Sequence, residues 1–389
     1  MTGTPGGAGA NLRLARQASG LSQLQLAAMA GVSRQAVSAV ESGHSDPSLR
    51  VALALAQAIG LSVEELFGPG EPAAPVTAVS LAPLSGQGDR VSLAPVGGRL
   101  VALPLRGDTG AGFGFLPAGG LATARAQAAP AQAAPAQAAQ PELVSVTPVG
   151  PLRPTLVVAG CDPALPLLAT PLALLDPPVA FAWWPCGSAA ALRLARQGLV
   201  HAAGVHGGRD DDEDDDEGRP RLPDGAEVIG FTAWREGIAV RPELKTVVTG
   251  LDSIARKRLR IVNREPGAQA RRLLDAELRR LNLGPGDLPG YDTLAAGHLQ
   301  VASAVSAGLA AAGVASEPAA RAYGLAFVPL AEELFQLVIP APHAASREVQ
   351  ALLRVLAGPW LRAQLASLPG YDAASCGERL TWAPRLTVR

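Results

Sequence analysis

Residues 23–43 read QLQLAAMAGVSRQAVSAVESG, a segment in which apolar residues recur on both sides of a glycine. Two helices that cross at a tight turn need a small residue at the crossing and a residue tolerant of positive φ at the turn, and Ala27 and Gly31 supply these. Apolar residues must also lock the pair, and they are present as Val32, Val37 and Val40. The segment therefore predicts a helix, a sharp turn and a second helix.

Helix-boundary residues extend this pattern over residues 11–67. Apolar residues recur there at steps of three and four, as on one face of a helix. Serines that would cap helix starts alternate with glycines that would end helices: Ser22, Gly31, Ser33, Gly43, Ser48 and Gly60. We therefore predict an all-α domain of four or five short helices, preceded by a disordered N-terminus at residues 1–10.

The pattern of residues 11–67 resembles the Cro/C1 (XRE) type of helix-turn-helix repressor domain. The resemblance implies a double-stranded DNA operator as partner, with Gln23 reaching the DNA backbone. It also implies that the second helix of the motif enters the major groove with the residues at its start: Ser33, Arg34, Gln35 and Ser38. Arginine can pair bidentately with guanine and glutamine with adenine, while serine hydroxyls hold phosphates. The alternative is that these polar side chains only solvate a helix.

The charges of this domain nearly cancel. Four arginines stand against four acids: Arg13, Arg16, Arg34 and Arg50 against Glu41, Asp46, Glu64 and Glu65. Because attraction to phosphates supplies most of the non-specific affinity for DNA, we expect one domain alone to bind weakly. A homodimer on an operator with two half-sites is therefore expected.

The whole chain has 389 residues, of which 48% are hydrophobic and 17% are charged. That length exceeds what one hydrophobic core supports and predicts two or three domains. No uninterrupted apolar stretch has the length of a membrane span, and the first ten residues lack the features of a secretory signal. We therefore expect a cytoplasmic protein. The acidic run at 210–217 (DDDEDDDE) predicts a solvated loop.

Cysteine and histidine spacing points away from metal and disulfide chemistry. The three cysteines, Cys161, Cys186 and Cys376, are far apart and form no CxxC pair, so reduced thiols are expected. Five histidines form no HExxH or other metal-ligand spacing. From these patterns we predict no metal site, no cofactor and no enzyme.

Residues 68–153 change to short apolar stretches broken by glycine and proline. Alternating residues at 90–93 and 99–103 flank Pro-Val-Gly-Gly and predict a β-hairpin. Within this segment, AQAAPAQAAPAQAAQ at 126–140 repeats with a period of five and predicts a flexible spacer. We interpret 68–153 as a β-rich linker segment.

Buried-type strands alternate with helical patterns in residues 154–389, which predicts a mostly parallel α/β architecture. Three junctions between a strand and a helix stand out: Gly160-Cys161-Asp162 after TLVVAG, Gly187-Ser188 at the start of a later helix, and residues 263–268 (NREPGA) after LRIV. Helix N-termini offer free N–H groups and positive partial charge, which suits an oxyanion. In an open α/β sheet such junctions gather at the carboxyl ends of the strands.

The segments VVAGCDPALPLLA, PCGSAAALRLARQGLVHAAGVHG, RIVNREPGAQARRLLD and YGLAFVPLAEELFQLVIP carry a second resemblance. They are similar to the type 2 periplasmic-binding-protein-like domain related to molybdate-binding proteins, over roughly residues 155–385. The resemblance implies two lobes joined by crossing strands, with a ligand in the cleft. Fused to an XRE domain, such a domain is implied to be a sensor, which makes the chain a multidomain regulator.

The same resemblance implies a set of residues for a small anionic ligand: Cys161, Asp162, Gly187, Ser188, Gly267, Ala268, Arg271 and His298. Where the family often has Gly-Ser-Gly-Thr-Arg, residues 267–271 read GAQAR and lack two hydroxyls, and glycine precedes His298 where threonine is common. These departures remove side-chain hydrogen-bond donors that molybdate or tungstate would use. Backbone N–H groups and Arg271 could still hold a carboxylate or another anion.

Other interpretations of the second half stay open. Cys161 also fits a small buried hydrophobic residue, Arg271 a solvated helix residue and His298 a structural histidine. The domain also fits a ligand-free dimerisation role. An enzyme is disfavoured, because Ser188 lacks the GxSxG context of a nucleophile.

Overall fold

The computed structural model describes residues 7–67, 74–106, 115–125, 141–207 and 222–381. The chain forms two compact units, Met1–Ala74 and Pro75–Arg389. The predicted spacer at 126–140 and the acidic run at 210–217 lie outside the described residues. Among the residues described, no helix combines the length and the apolar character needed to cross a bilayer.

Short helices make up the first unit, as predicted. They are α1 (Gly7–Ala18), α2 (Gln23–Ala30), α3 (Arg34–Glu41), α4 (Leu49–Ile59) and α5 (Val63–Phe67). The prediction of disorder for residues 1–10 is wrong from Gly7 onward, because α1 begins there. Its first glycines are tolerated because the helix packs on the end of α3, where Gly9 lies against the Val40 carbonyl.

Local chemistry sets the two motif helices. Ser22 and Gln25 form a reciprocal capping box at the start of α2, and Gly31 ends that helix with φ of 65°. The turn between α2 and α3 therefore depends on a conformation that glycine adopts readily. The helices then bury Leu26 and Val37 in a common core.

Residues 76–148 form a closed five-stranded barrel in the order β1-β3-β2-β4-β5. Its strands are β1 (Val76–Ser80), β2 (Arg90–Val96), β3 (Arg99–Pro104), β4 (Gly120–Arg125) and β5 (Glu142–Pro148). The predicted hairpin is confirmed: Val96 pairs with Arg99 across Gly97 and Gly98, whose φ values are 55° and 78°.

The interpretation of this segment as a linker needs correction. The barrel shares a hydrophobic cluster with the α/β domain, in which Val96 and Val101 pack with Leu199 and Val200. Arg99 also donates a hydrogen bond to the carbonyl of Gln197, at 3.1 Å. The strand patterns in the sequence did not show that the α/β domain covers this outer face of the barrel.

The α/β domain consists of two lobes, as predicted. The first lobe contains β6 (Thr155–Ala159), α6 (Ala169–Ala173), β7 (Ala180–Trp184), α7 (Ser188–Arg196), β8 (Ala202–Gly207), α12 (Arg347–Ala357), α13 (Pro359–Ser367), β14 (Tyr371–Asp372) and β15 (Arg379–Leu380). The second contains α8 (Leu251–Arg256), β10 (Ile261–Arg264), α9 (Gln269–Arg280), β11 (Leu294–Ala295), α10 (His298–Ser306), β12 (Ala312–Ser316) and α11 (Glu317–Ala322). Each lobe has its own hydrophobic clusters on the two faces of its part of the sheet.

Two long antiparallel strands, β9 (Glu227–Val240) and β13 (Ala326–Ile339), run from one lobe into the other. They lie at the centre of the sheet order β11-β10-β12-β9-β13-β8-β6-β7, and β14 and β15 also pair with β9. Breaks in register between Pro329 and Ala331 and between Phe335 and Gln336 bend β13 where the lobes meet. The carboxyl ends of β6, β8 and β10 therefore face one interlobe cleft.

Candidate functional site

The first residues of α3 present a polar surface in the first unit. Arg34, Gln35 and Ser38 are exposed, while Val37 and Val40 on the opposite side of the helix are buried. Ser33 is exposed as well, but its hydroxyl accepts a hydrogen bond from the Ala36 amide at 3.0 Å and caps the helix. The exposed face keeps an arginine and a glutamine available for base edges.

Gln23 lies at the start of α2 with its side chain turned inward. Its Nε2 donates to Glu41 Oε2 at 2.9 Å. Arg16 donates to both oxygens of the same carboxylate, at 2.6 and 3.1 Å. Burial alone would raise the pKa of Glu41, but the hydrogen bonds from Arg16 and Gln23 lower it below its ordinary value. Gln23 thus braces α2 against α3 here, a contact that the expected role at the DNA backbone did not include.

In the α/β domain, four of the eight residues expected to bind ligand lie where the two lobes meet: Cys161, Gly187, Ala268 and His298. A Cβ placed on Gly187 would lie 3.9 Å from Ala268 Cα and 3.9 Å from Glu265 Oε1, so the start of α7 faces the loop before α9. Across the same cleft, the ring centroids of His206 and His298 are 6.1 Å apart. The two lobes are therefore in close contact at this point.

Cys161 and His206 form the centre of the first lobe's side of the cleft. Cys161 Sγ lies 3.0 Å from His206 Nε2, and His206 Nδ1 lies 3.4 Å from Glu333 Oε2. Burial alone would lower the pKa of the His206 imidazole, but Cys161 and Glu333 raise it well above its ordinary value. Ser188, a residue expected at the site, accepts a hydrogen bond from the His206 amide at 3.1 Å and holds this strand end in place.

His298 occupies the second lobe's side, at the first residue of α10. Its Nδ1 lies 3.2 Å from the Ser316 amide and 3.6 Å from Glu236 Oε1. Burial lowers the pKa of His298 well below its ordinary value, and the charges of Arg264 and His206 lower it further. Within the described part of the chain, its Nε2 is buried without a hydrogen-bond partner.

Several polar residues in the cleft were missed by sequence reasoning. Buried polar atoms that find no hydrogen-bond partner among the described residues belong to Trp234 and Ser316, which contact the cleft histidines. The carboxylates of Glu236 and Glu333 are 0% and 1% exposed. These residues stand within or at the ends of apolar strands, where a polar residue looks like the solvent side of an alternating pattern. The sequence did contain an indication of these residues. The segments that form β9 and β13 have 14 residues each, which is too long for one lobe, and both contain apolar and charged residues.

Arg264, at the end of β10, lies in the third predicted junction but was not among the predicted site residues. Its side chain is 2% exposed, and two of its nitrogens donate to the Glu265 carboxylate at 2.9 Å each. A fully buried arginine next to the cleft brings positive charge close to His298 and Glu236.

Two residues expected at the site serve the structure around it. Both carboxylate oxygens of Asp162 are engaged, by Thr232 Oγ1 at 2.6 Å, by Tyr371 Oη at 2.7 Å and by the Ala164 amide at 2.8 Å. We therefore assign Asp162 a structural role in the loop after β6, in place of the expected ligand contact.

Arg271 is likewise turned away from the cleft. It donates to the Arg264 carbonyl at 3.2 Å, and its guanidinium lies 4.6 Å from the centroid of the Tyr291 ring. Of the neighbouring positions, Gly267 has φ of 87° and Ala268 uses its amide for a turn to Glu265, at 3.2 Å. The loop therefore meets the cleft with backbone atoms of residues 267 and 268 and without the expected cation.

Comparison with known families agrees with both halves of the architecture. The helix-turn-helix family matches residues 12–66, and the PBP superfamily domain matches residues 169–357. The chain therefore belongs to the helix-turn-helix family through its first domain and carries a PBP superfamily domain behind it. An uncharacterised HTH-type transcriptional regulator, MJ0272 of Methanocaldococcus jannaschii, is 41% identical over 56 residues, which are 14% of this chain and 85% of the relative.

The uncharacterised protein YvgK of Bacillus subtilis is 30% identical over 151 residues, 39% of this chain. This chain spans about half of that relative's length, 48%. Among solved structures, the restriction-modification controller protein C.AhdI from Aeromonas hydrophila is 44% identical, over 15% of this chain and 89% of its own, with a TM-score of 0.15. A putative phosphate ABC transporter substrate-binding protein from Clostridium perfringens is 14% identical, over 55% and 96%, with a TM-score of 0.41.

Proposed function

We propose that this protein is a cytoplasmic transcription regulator whose operator binding is altered by a small ligand held between its two lobes. One observation carries the proposal: buried polar groups from both lobes and both crossing strands converge in the cleft, and some of them, such as His298 Nε2 and Trp234 Nε1, lack a partner among the described residues. Buried polar groups are almost always satisfied in a finished structure. A ligand that satisfies them would supply the missing partners.

The mechanism follows from the position of these groups. A ligand that contacts Cys161 and His206 in one lobe and His298 in the other binds the closed arrangement better than an open one. It therefore shifts the population toward closure by its differential affinity for the two arrangements. Closure changes operator affinity to the extent that it changes the spacing of two recognition helices in a dimer.

A homodimer forms part of the proposal. Leu49 and Leu53 lie one turn apart on α4 and are 72% and 53% exposed, and Leu61 beyond the helix is 38% exposed. Adjacent exposed leucines on a small domain are a typical interaction surface. We infer that a second copy covers them when the protein binds two half-sites.

For the ligand, the resemblance to molybdate-binding proteins supports a small anion, a molybdate- or tungstate-like oxyanion among them. The buried Arg264 and the backbone of Gly187 at the start of α7 favour an anion. The buried carboxylates of Glu236 and Glu333 oppose it, because they would repel a dianion in the same cleft.

The proposal is tested with the full chain and an operator obtained by selecting sequences from random DNA. Fluorescence anisotropy would measure operator affinity with and without molybdate, tungstate, phosphate, small carboxylates and divalent metal ions. Thermal unfolding would measure binding of each compound directly, because a ligand raises Tm with concentration. A compound that raises Tm and changes operator affinity supports the proposal.

A protein that selects no DNA sequence would overturn the proposed regulator. Sequence-specific binding with no response of Tm or of affinity to any compound would favour the ligand-free dimerisation role instead. Hydrolysis or conversion of a compound without any effect on DNA binding would favour an enzyme.

A further inference from the structure

Two histidines from different lobes are held in the same way. His206 Nδ1 lies 3.4 Å from Glu333 Oε2, and His298 Nδ1 lies 3.6 Å from Glu236 Oε1. Both carboxylate side chains are 0% exposed. A carboxylate behind one ring nitrogen fixes the orientation and tautomer of an imidazole whose other nitrogen binds a metal ion. The cleft places a buried carboxylate near Nδ1 of each imidazole, and at His298 the same Nδ1 also accepts a hydrogen bond from the Ser316 amide at 3.2 Å.

The remaining nitrogens of these rings are associated with a third donor. His206 Nε2 lies 3.0 Å from Cys161 Sγ, and His298 Nε2 is buried without a partner among the described groups. Ligand atoms of Cys161, His206 and His298 all lie within 4.8 Å of one another. A sulfur and a nitrogen on one tetrahedral ion are about 3.5 Å apart, given metal distances of about 2.3 and 2.1 Å. Cys161 Sγ and His206 Nε2, now 3.0 Å apart, would therefore separate by about 0.5 Å. His298, within 4.8 Å of both, would approach by about 1 Å to share one ion.

The chemistry of the donors selects the kind of ion. One thiolate and two imidazoles are typical ligands of zinc and its first-row neighbours, whereas calcium and magnesium prefer oxygen. A divalent cation would also offset the negative charge of Glu236 and Glu333, which burial makes costly. In the absence of an ion, the Ser316 amide donates to His298 Nδ1, at 3.2 Å. An ion on Nε2 requires the proton of the neutral ring on Nδ1, so the hydrogen bond from the Ser316 amide breaks and Nδ1 donates to Glu236 instead.

We propose that the interlobe cleft binds one first-row transition-metal ion of the zinc type through Cys161 Sγ and the Nε2 atoms of His206 and His298. This inference rests on the proposed function and names the ligand class of the same cleft. On binding, the Cys161 thiol loses its proton to solvent and becomes the thiolate ligand. Because two ligands belong to one lobe and the third to the other, the ion links the lobes in the closed arrangement.

The experiment uses the full chain, stripped of metal with a chelator under reducing conditions and then titrated with cobalt(II). A thiolate-to-cobalt absorption band in the near ultraviolet is expected, and zinc(II) should abolish the band by displacement and raise Tm. Cys161→Ser should lose the band. Cys376→Ala is the matched control and should keep it, because Cys376 lies in the core of the first lobe with Sγ 3.8 Å from the Leu356 carbonyl. His298→Gln should weaken cobalt binding about tenfold or more.

Two results would overturn the metal site: no thiolate band in the full chain, or a band of equal strength in Cys161→Ser. A rise in Tm with molybdate and none with zinc would overturn it in favour of the anion. Far-ultraviolet circular dichroism of each metal-free variant establishes that it is folded. Operator affinity of the stripped protein tests the regulator separately: operator binding that zinc leaves unchanged, together with a normal cobalt band, retains the site and rejects its regulatory role.

Discussion

The sulfur of Cys161 lies 3.0 Å from Nε2 of His206, although the two residues are 45 positions apart in the chain. Cys161 follows β6 closely, His206 lies on β8, and these strands are parallel neighbours in the sheet. Their carboxyl ends therefore meet at one edge. The pair is a product of strand order and is placed where the second lobe closes over it.

The first prediction concerns the polar face of α3. Arg34→Ala should weaken binding to the selected operator by about 1–3 kcal/mol and relax the preference at one base position, because a bidentate contact to a base edge is lost. Anisotropy titrations against the operator and single-base variants measure both effects. Arg354→Ala removes the same charge from an exposed position on α12 and should leave the base preference intact. Equal effects of the two substitutions on base preference would rule out α3 as the recognition helix.

The second prediction concerns Glu41, whose carboxylate accepts hydrogen bonds from Arg16 and Gln23. Glu41→Gln keeps the shape but removes the charge from hydrogen bonds of 2.6 and 3.1 Å to Arg16, so α3 should open more easily by about 1–3 kcal/mol. Amide hydrogen exchange of α3 in the full chain measures this change. Glu64→Gln, at an exposed position on α5, is the control and should leave exchange unchanged. Identical protection in Glu41→Gln would contradict the bracing role.

The third prediction concerns the buried histidine His201. Burial, assisted by the neighbouring His343, lowers the pKa of His201 to about 4, and its Nδ1 accepts a hydrogen bond from the Val157 amide at 3.0 Å. Between about pH 4 and 6.5 the unfolded chain therefore binds a proton that the folded ring does not, so stability is full above about pH 6.5 and is lost as the pH falls.

At pH 5 this loss is about 2 kcal/mol relative to pH 7.5. Urea unfolding of wild type and His201→Gln at both pH values measures it, and the difference between the two pH values should shrink by that amount in the variant. An unchanged pH dependence would show that His201 does not contribute.

The fourth prediction concerns the close packing of the two crossing strands, β9 and β13. A Cβ on Gly237 in β9 would lie 2.2 Å from the Val328 carbonyl oxygen and 2.9 Å from Pro329 Cα. Gly237→Ala should therefore destabilise the α/β unit by about 1–3 kcal/mol, because backbone must move to accept the methyl group. Gly286→Ala meets nothing within 4 Å and serves as the control. Denaturant unfolding of both variants tests the contrast, and equal midpoints would show that the crossing strands are loosely packed here.

Several features could be read from the sequence because they depend on neighbours in the chain. The α2–α3 pair follows from the Ser22 cap, the glycine conformation at Gly31 and the apolar spacing around Val37. The hairpin at Gly97 and Gly98 follows from turn chemistry in the same way. Strand and helix periodicity also indicated the α/β class, and the loops at Cys161, Gly187 and Ala268 were placed at the cleft by the rule that parallel strands end at one edge.

The composition of the cleft could not be read in this way. His206, Glu236, Glu333 and Arg264 come from four strands, and their meeting depends on register and on how far one lobe closes on the other. The same is true of Asp162 and Arg271, whose side chains turn toward Tyr371 and Tyr291, residues distant in sequence. Local spacing determines caps, turns and amphipathic faces, since their energies come from residues a few positions apart. Only the tertiary structure decides which buried charges share one cavity, because long-range strand pairing sets those distances.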